Sequence, residues 1–313
     1  MPPQLHAFVP TYFEKVWGGN SLATYFNREI PQTASGLIGE SWELSDRPEA
    51  VSRDIFTGRD LHELWCLHRE EIFGSLAPVT ERFPLLVKII DASENLSVQV
   101  HPPAHLAVAL NCEPKTEIWY FLRCLSNSAI YAGFDRKITR EQFVQAIKSG
   151  TSENLYHKIS VKAGDAMFLP SGRVHAIGAG NLLLEVQQNS DTTYRVYDWD
   201  RRGLDGKPRE LHLEQALQCI DFDDVRPALQ NRRDDVLVEC PYFSVRQKNL
   251  FEPYSLDGRG ETFVFIFNEK GRTQIAGHTL KPGEFVFLPA HAKDRDICPL
   301  ERPASVVLTT WGR

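Results

Sequence analysis

The apolar runs of this chain are short, and their length constrains the fold more than any other feature. They lie at 85–90, 96–100, 118–122, 166–169, 182–186, 262–267 and 285–288, with Gly, Pro, Asn and Asp between them. Runs of that length bounded by turn residues read as strands, and many of them in one chain point to a β-sandwich or barrel. Strand and helix do not alternate regularly, which argues against a doubly wound sheet. Neither a GxGxxG nor a GxxxxGK phosphate loop occurs. Helical spacing breaks the β pattern in three places. Asp60 is positioned as an N-cap, and Leu61, Leu64, Trp65 and Leu67 with Ile72 supply an apolar face that stops at Gly74. Thr139 and Gln142 form a capping-box pattern ahead of Phe143, Ala146 and Ile147, with Gly150 as the stop. A third helix is expected over 213–220.

The 313 residues are enough for about two domains. An internal echo supports that count. Lys162-Ala163-Gly164-Asp165-Ala166-Met167-Phe168-Leu169-Pro170 resembles Lys281-Pro282-Gly283-Glu284-Phe285-Val286-Phe287-Leu288-Pro289. Each reads as a turn through Gly, a buried strand and a Pro break. The charged segment 221–235 between them is the expected boundary, dividing the chain into a catalytic unit, 1–221, and a smaller C-terminal β-unit, 222–313. A net charge of -6 argues against a nucleic-acid surface, which would be basic. The six cysteines are scattered without a CxxC pair and are expected to be reduced thiols. The N-terminal stretch lacks an apolar signal core, and no apolar run approaches the length of a membrane span. The expectation is a cytoplasmic protein with no nucleic-acid or membrane partner, either a monomer or a homodimer.

The segment Ser97-Val98-Gln99-Val100-His101-Pro102 carries the clearest chemistry. Residues two apart in a strand share a face, so Gln99 and His101 project together with Ser97, while Val98 and Val100 turn to the opposite core. A row of polar side chains facing a β interior needs partners, because unpaired buried polar groups cost free energy. Glu117, ahead of the apolar strand at 118–122, and His175, after the Gly172 turn, are the other candidates. Gln99, His101, Glu117 and His175 together offer two imidazoles, a carboxylate and an amide oxygen. Such a set without thiolate suits zinc, and also iron or manganese. His6, His62, His68, His157, His212, His278 and His291 have no such partners, and Pro102 and Pro103 separate His105 from the strand. Aligning the two halves of the echo puts Asp294 where His175 stands, so the C-terminal unit is expected to pack and not to catalyse.

Several further segments appear in the same order as in a known family. They are Lys15-Val16-Trp17-Gly18-Gly19, Gly39-Glu40-Ser41-Trp42-Glu43-Leu44-Ser45, Phe83-Pro84-Leu85-Leu86-Val87-Lys88, and Lys115-Thr116-Glu117. Leu184-Glu185, Asp191 and Tyr194-Arg195 follow. With 96–102 and 164–175, they make the chain resemble the type I mannose-6-phosphate isomerases of the cupin superfamily, over about 13–199 and more loosely beyond. The short length and the 39–45 segment look like the compact bacterial branch. Pro103 departs from the pattern, standing where many relatives carry an Asp.

The resemblance implies a mostly β fold: a cupin-type jelly-roll β-barrel with a helical insertion and a second, smaller β-unit lacking the metal ligands. It implies one catalytic zinc per chain on Gln99, His101, Glu117 and His175, with Trp17, Glu40, Lys88, Lys115, Glu185 and Arg195 around a sugar phosphate. The reaction would be the aldose–ketose interconversion of mannose 6-phosphate and fructose 6-phosphate through an enediolate. Arg195 is the expected electrophilic cation, since a guanidinium stays charged and presents paired donors. Lys115, its pKa lowered by burial, and Glu185 are the two candidate proton carriers. Lys88 and Ser97 are the candidate phosphate contacts. Three bland readings stand beside these: a Glu185–Arg195 salt bridge, Trp42 as core, and Trp17 as core. Another metal-dependent cupin enzyme, such as an iron dioxygenase, and a non-catalytic sugar-binding cupin are the alternative functions.

Overall fold

The computed structural model describes residues 3–32, 36–231 and 234–312. Its strands all pair antiparallel in the four large sheets, as the short punctuated runs predict. In the first unit they are β1 (Thr11–Gly19), β2 (Ile38–Leu44), β3 (Leu85–Ala92), β4 (Val98–Val100), β5 (Glu117–Cys124) and β6 (Ala129–Phe134), then β7 (Tyr156–Ser160), β8 (Ala166–Leu169), β9 (His175–Ile177), β10 (Asn181–Gln188) and β11 (Tyr194–Tyr197). A six-stranded sheet runs β1-β2-β3-β10-β5-β8, and a five-stranded sheet runs β11-β4-β9-β6-β7. The two face one another across an inner core that joins Ile90, Trp119, Phe121 and Leu183 of the larger sheet to Ile130, Ala132 and Ile177 of the smaller.

The second unit repeats this plan. It contains β12 (Val236–Glu239), β13 (Phe243–Leu250), β14 (Tyr254–Ser255), β15 (Val264–Lys270), β16 (Thr273–Ile275), β17 (His278–Leu280), β18 (Phe285–Leu288), β19 (Asp296–Pro299) and β20 (Ala304–Trp311). Its larger sheet runs β12-β13-β20-β15-β18, and its smaller sheet runs β14-β19-β16-β17. The echo in the sequence is therefore a repeat in space. β8 and β18 are the corresponding edge strands, paired with β5 and β15. Both begin at a turn in which a carboxylate caps a backbone N–H: Lys162 N–H donates to Asp165 at 3.0 Å, and Lys281 N–H donates to Glu284 at 2.8 Å.

The large sheets pack back to back. Val87, Ile89, Ile118, Tyr120 and Leu184 on the outer face of the first meet Phe265, Phe267, Phe285 and Phe287 of the second in one buried cluster. A sheet covered on both faces needs apolar residues at consecutive positions, so β3, β5 and β10 read as continuous apolar runs instead of alternating ones. The inner core of the second unit is built from apolar residues such as Val264, Ile266, Val286 and Leu308, with Leu5 and Ala7 from the start of the chain added to it.

Two helices cover the outer face of the first unit's smaller sheet, and another packs into the core shared by the large sheets. The helix α1 (Leu61–His68) starts at Asp60, whose side chain accepts from Glu63 N–H at 2.8 Å. It continues into one π-helical turn, Arg69–Phe73, and ends at Gly74 with φ +92°. Leu61, Leu64 and Trp65 are buried as expected, but Leu67 is 65% exposed. At about 100° per residue Leu67 falls roughly 120° from the centre of the apolar stripe, so it belongs to the outer face. The helix α2 (Arg140–Lys148) carries both hydrogen bonds of the capping box between Thr139 and Gln142. With α3 (Leu213–Cys219) it buries Phe143, Ala146, Ala216 and Cys219 against Val98, Val100 and Phe134.

Truncating Phe265, fully buried between the two large sheets, is expected to cost about 3–5 kcal/mol. Because both units share that core, Phe265→Ala should lower the denaturation midpoint of a single cooperative transition. Two separate transitions in the wild-type protein would show that the units do not stabilise each other.

Candidate metal centre and active site

Strand register assembles the site from distant stretches of chain. In the smaller sheet Gln99 of β4 pairs with His175 of β9 on one side and Arg195 of β11 on the other. One cross-strand row thus carries two expected ligands and the expected cation. Across the larger sheet a second row runs from Lys88 on β3 through Glu185 on β10 to Trp119 on β5. Glu117 lies two residues from Trp119 on the same strand face. The alternation read from the sequence holds: Val98 and Val100 enter the helix-covered core, while Gln99 lines the cavity.

His101, Glu117 and His175 converge. Their ligand atoms lie within 4.8 Å of one another, and all three side chains are buried. His101 Nδ1 is 2.9 Å from the Thr192 carbonyl, and His175 Nδ1 is 2.9 Å from the Arg173 carbonyl. A carbonyl only accepts, so each Nδ1 carries the proton and each Nε2 presents a lone pair. Those nitrogens face Glu117, with His101 Nε2 3.4 Å from Oε2 and His175 Nε2 3.4 Å from Oε1. The Gln99 amide reaches His175 Nε2 at 3.3 Å, which brings the fourth expected ligand to the same point.

Burial, together with the nearby Lys115 ammonium, pushes His101 down to about 3 against the pull of Glu117. Burial also lowers His175. Burial alone would raise Glu117, but Lys115 and the two imidazoles hold it well below the usual carboxylate range. Two neutral imidazoles and an ionised carboxylate are the protonation states that metal ligation requires. Both Glu117 oxygens and His101 Nε2 are buried without a hydrogen-bond partner of good geometry. Native proteins rarely leave such atoms orphaned. A divalent cation at their centre would satisfy all three, so the donor set fits a metal held through nitrogen and oxygen, with backbone carbonyls orienting the histidines.

A cavity of about 250 Å³ adjoins the cluster, lined by Trp17, Glu40, Lys88, Ser97, Gln99, Lys115, Glu185 and Arg195 among others. Every expected catalytic and substrate-contacting residue therefore borders one space. Lys115 Nζ lies 2.9 Å from Glu117 and 3.9 Å from Glu185. Burial would lower its pKa, but those two carboxylates outweigh burial and hold the ammonium above its ordinary value. The shift is opposite to the depression expected from sequence, which did not include the two acids. Glu185 is pushed up by burial and by Glu117, while Lys115 and Lys88 pull it down and the Trp119 indole N–H donates to it at 2.9 Å.

Lys88 is ringed by Glu40 at 3.7 Å, Glu185 at 3.7 Å and Asp191 at 3.9 Å. Burial acts to raise Glu40, but Lys88 and Lys15 bring it down to about 2. Trp42 is core, packed with Leu86 and Ala50, and its indole N–H donates to Glu40 at 2.7 Å. Trp17 is both core and cavity wall.

Arg195 makes no ion pair with Glu185 among the described residues. Its Nη1–H donates to the Glu210 carbonyl at 2.7 Å, and its Nε is buried without a partner. Sequence reasoning missed Arg209, which also lines the cavity. It is held by Asp198 through Nε at 2.7 Å, and Asp198 also binds Arg201 at 2.9 Å. The three arginines at 195, 201 and 209 around one aspartate were the available signal. His105 sits on the exposed turn Ala104–Leu106 and takes no part in the cluster. Among the described residues no helix is long and apolar enough to cross a membrane.

Comparison with known proteins agrees with this arrangement. The family model described as phosphomannose isomerase type I, catalytic domain, matches residues 5–120. The mannose-6-phosphate isomerase ManA of Bacillus subtilis is 38% identical over 297 residues, covering 90% of this chain and 92% of its own. The mannose-6-phosphate isomerase of Streptococcus mutans is 38% identical over 289 residues, covering 88% and 89%. The crystal structure of the mannose 6-phosphate isomerase from Bacillus subtilis superposes with a TM-score of 0.86 at 33% identity, covering 98% of this chain and 99% of that one. The mostly β, cupin-type architecture is thus shared along the whole length, and the chain belongs to the type I phosphomannose isomerase family.

Proposed function

We propose that this protein is a zinc-dependent isomerase interconverting mannose 6-phosphate and fructose 6-phosphate. The observation that carries the reading is the buried His101–Glu117–His175 cluster, with two Nε2 lone pairs aimed at one carboxylate, opening onto the cavity that Arg195, Lys115 and Glu185 share. The relatives that cover nearly the full chain are named for this activity.

Aldose–ketose isomerisation moves a proton between carbons 1 and 2, and negative charge grows on the two adjoining oxygens in the enediolate. A zinc ion held by Gln99, His101, Glu117 and His175 would supply Lewis-acid stabilisation of that charge. Arg195 lines the same cavity, and its guanidinium donates to the developing oxyanion. Glu185 and Lys115, 3.9 Å apart, form the proton-carrying pair. The Trp119 N–H and Lys88 hold Glu185 in place, so the proton is collected and returned at a fixed carboxylate. Trp17 and Glu40 complete the lining of the cavity. Lys88 already serves three carboxylates, so the phosphate sits toward Ser97 and the Arg195–Arg209 side, where a single aspartate leaves positive charge in excess.

Elemental analysis of the purified protein should find one zinc per chain, with isomerase activity removed by a chelator and restored by zinc. His175→Ala should lose metal and activity together. Arg195→Ala should keep its metal and lose turnover by roughly 10²–10³-fold, the scale on which removing an oxyanion donor acts. Normal turnover in that variant would remove Arg195 from the electrophile role. Glu185→Gln should keep the metal and also lose turnover, whereas an unchanged kcat would leave Lys115 as the proton carrier.

A further inference from the structure

The second unit holds a cavity at the same register as the active site of the first. In the first unit a row of facing residues runs Met167–Trp119–Glu185–Lys88 across β8, β5, β10 and β3. The repeat matches Met167 with Val286 and Leu169 with Leu288. Strand pairing then carries the row from Val286 through Ile266 and Leu308 to Arg246. Arg246 holds the place of Lys88, Leu308 that of Glu185, Val264 that of Glu117 and Thr262 that of Lys115. A cavity of about 250 Å³ opens there, the same volume as the first. Arg246, Thr262 and Leu308 line it as Lys88, Lys115 and Glu185 line the other.

The replacements remove the metal and the acid chemistry but leave groups that recognise a ligand. Val264 offers no ligand atom, and Asp294, matched to His175, lies exposed at the surface. Leu308 takes away one of the three carboxylates that ring Lys88 in the first unit, and Glu239 and Asp257 are the acids that line this cavity with Arg246. The neighbouring Val245 enters the core between the units, so Arg246 turns toward the cavity, and no ion pair to its guanidinium occurs among the described residues. The hydroxyls of Ser244 and Thr310 stand beside it, over an apolar floor of Leu256, Val264 and Leu308. A permanently charged fork suits a phosphate. Hydroxyls next to an apolar floor suit a carbohydrate chain. We infer that this cavity is a second, non-catalytic binding site for a phosphorylated sugar or polyol, with Arg246 on the phosphate.

Sorbitol 6-phosphate tests this directly, because it has no carbonyl to isomerise. Isothermal titration of the full-length, zinc-loaded protein should show two binding events per chain. Arg246→Ala should weaken one of them by at least about tenfold. Arg246→Lys should restore part of that loss, and kcat for mannose 6-phosphate should be unchanged in both variants. Arg195→Ala should weaken the other event instead. A single event that Arg195→Ala abolishes and Arg246→Ala leaves intact would overturn the second site. A single event lost only in Arg246→Ala would support the second site and count against the assignment of the first.

Discussion

The buried carboxylate of Glu117 is the group on which the rest of the first unit depends. It is fully enclosed, ionised and faced by two neutral imidazoles and one ammonium. Leaving a carboxylate in that position without strong partners would cost several kcal/mol. The inner face of the first sandwich is therefore polar at one end for a chemical reason, and that end contributes little apolar burial to stability. The loss is offset on the outer faces. The large sheet rests on the second unit's phenylalanines, and the small sheet is covered by α2 and α3. The expected ligands stand on or directly beside strands that are packed from behind, which holds them in place.

The second unit fits this division. It has the same strand order, the same capped turn into its edge strand and an apolar cluster between its two sheets. Where the first unit places Glu117 and Glu185, the second places Val264 and Leu308, so the metal-ligating and proton-carrying acids give way to apolar side chains without a change of topology. Its large sheet then supplies the apolar surface that the first unit's large sheet needs.

Much of this was readable before any coordinates. The strand at Val98–Val100 showed its faces by alternation, the capping box at Thr139 set the start of α2, and the repeated Gly-acid-strand-Pro segment marked the two units. Other features depend on contacts between distant residues and leave no periodic signal. The upward shift of Lys115 comes first from Glu117 and then from Glu185, which is seventy residues away in sequence (185 − 115 = 70). Arg209 reaches the cavity only because Asp198 holds it from a loop. Leu67 looked like a core residue because apolar character and helical phase were weighed together, and phase decided the outcome. The back-to-back packing was hidden because a strand buried on both faces has no alternation to read.

X-ray absorption at the zinc edge of the loaded protein tests the central claim most directly. The account requires a shell of nitrogen and oxygen at about 2.0–2.2 Å, with the multiple scattering of two imidazoles and no sulfur. A sulfur shell near about 2.3 Å, or scattering from fewer than two imidazoles, would place the metal elsewhere and contradict the site built around Glu117.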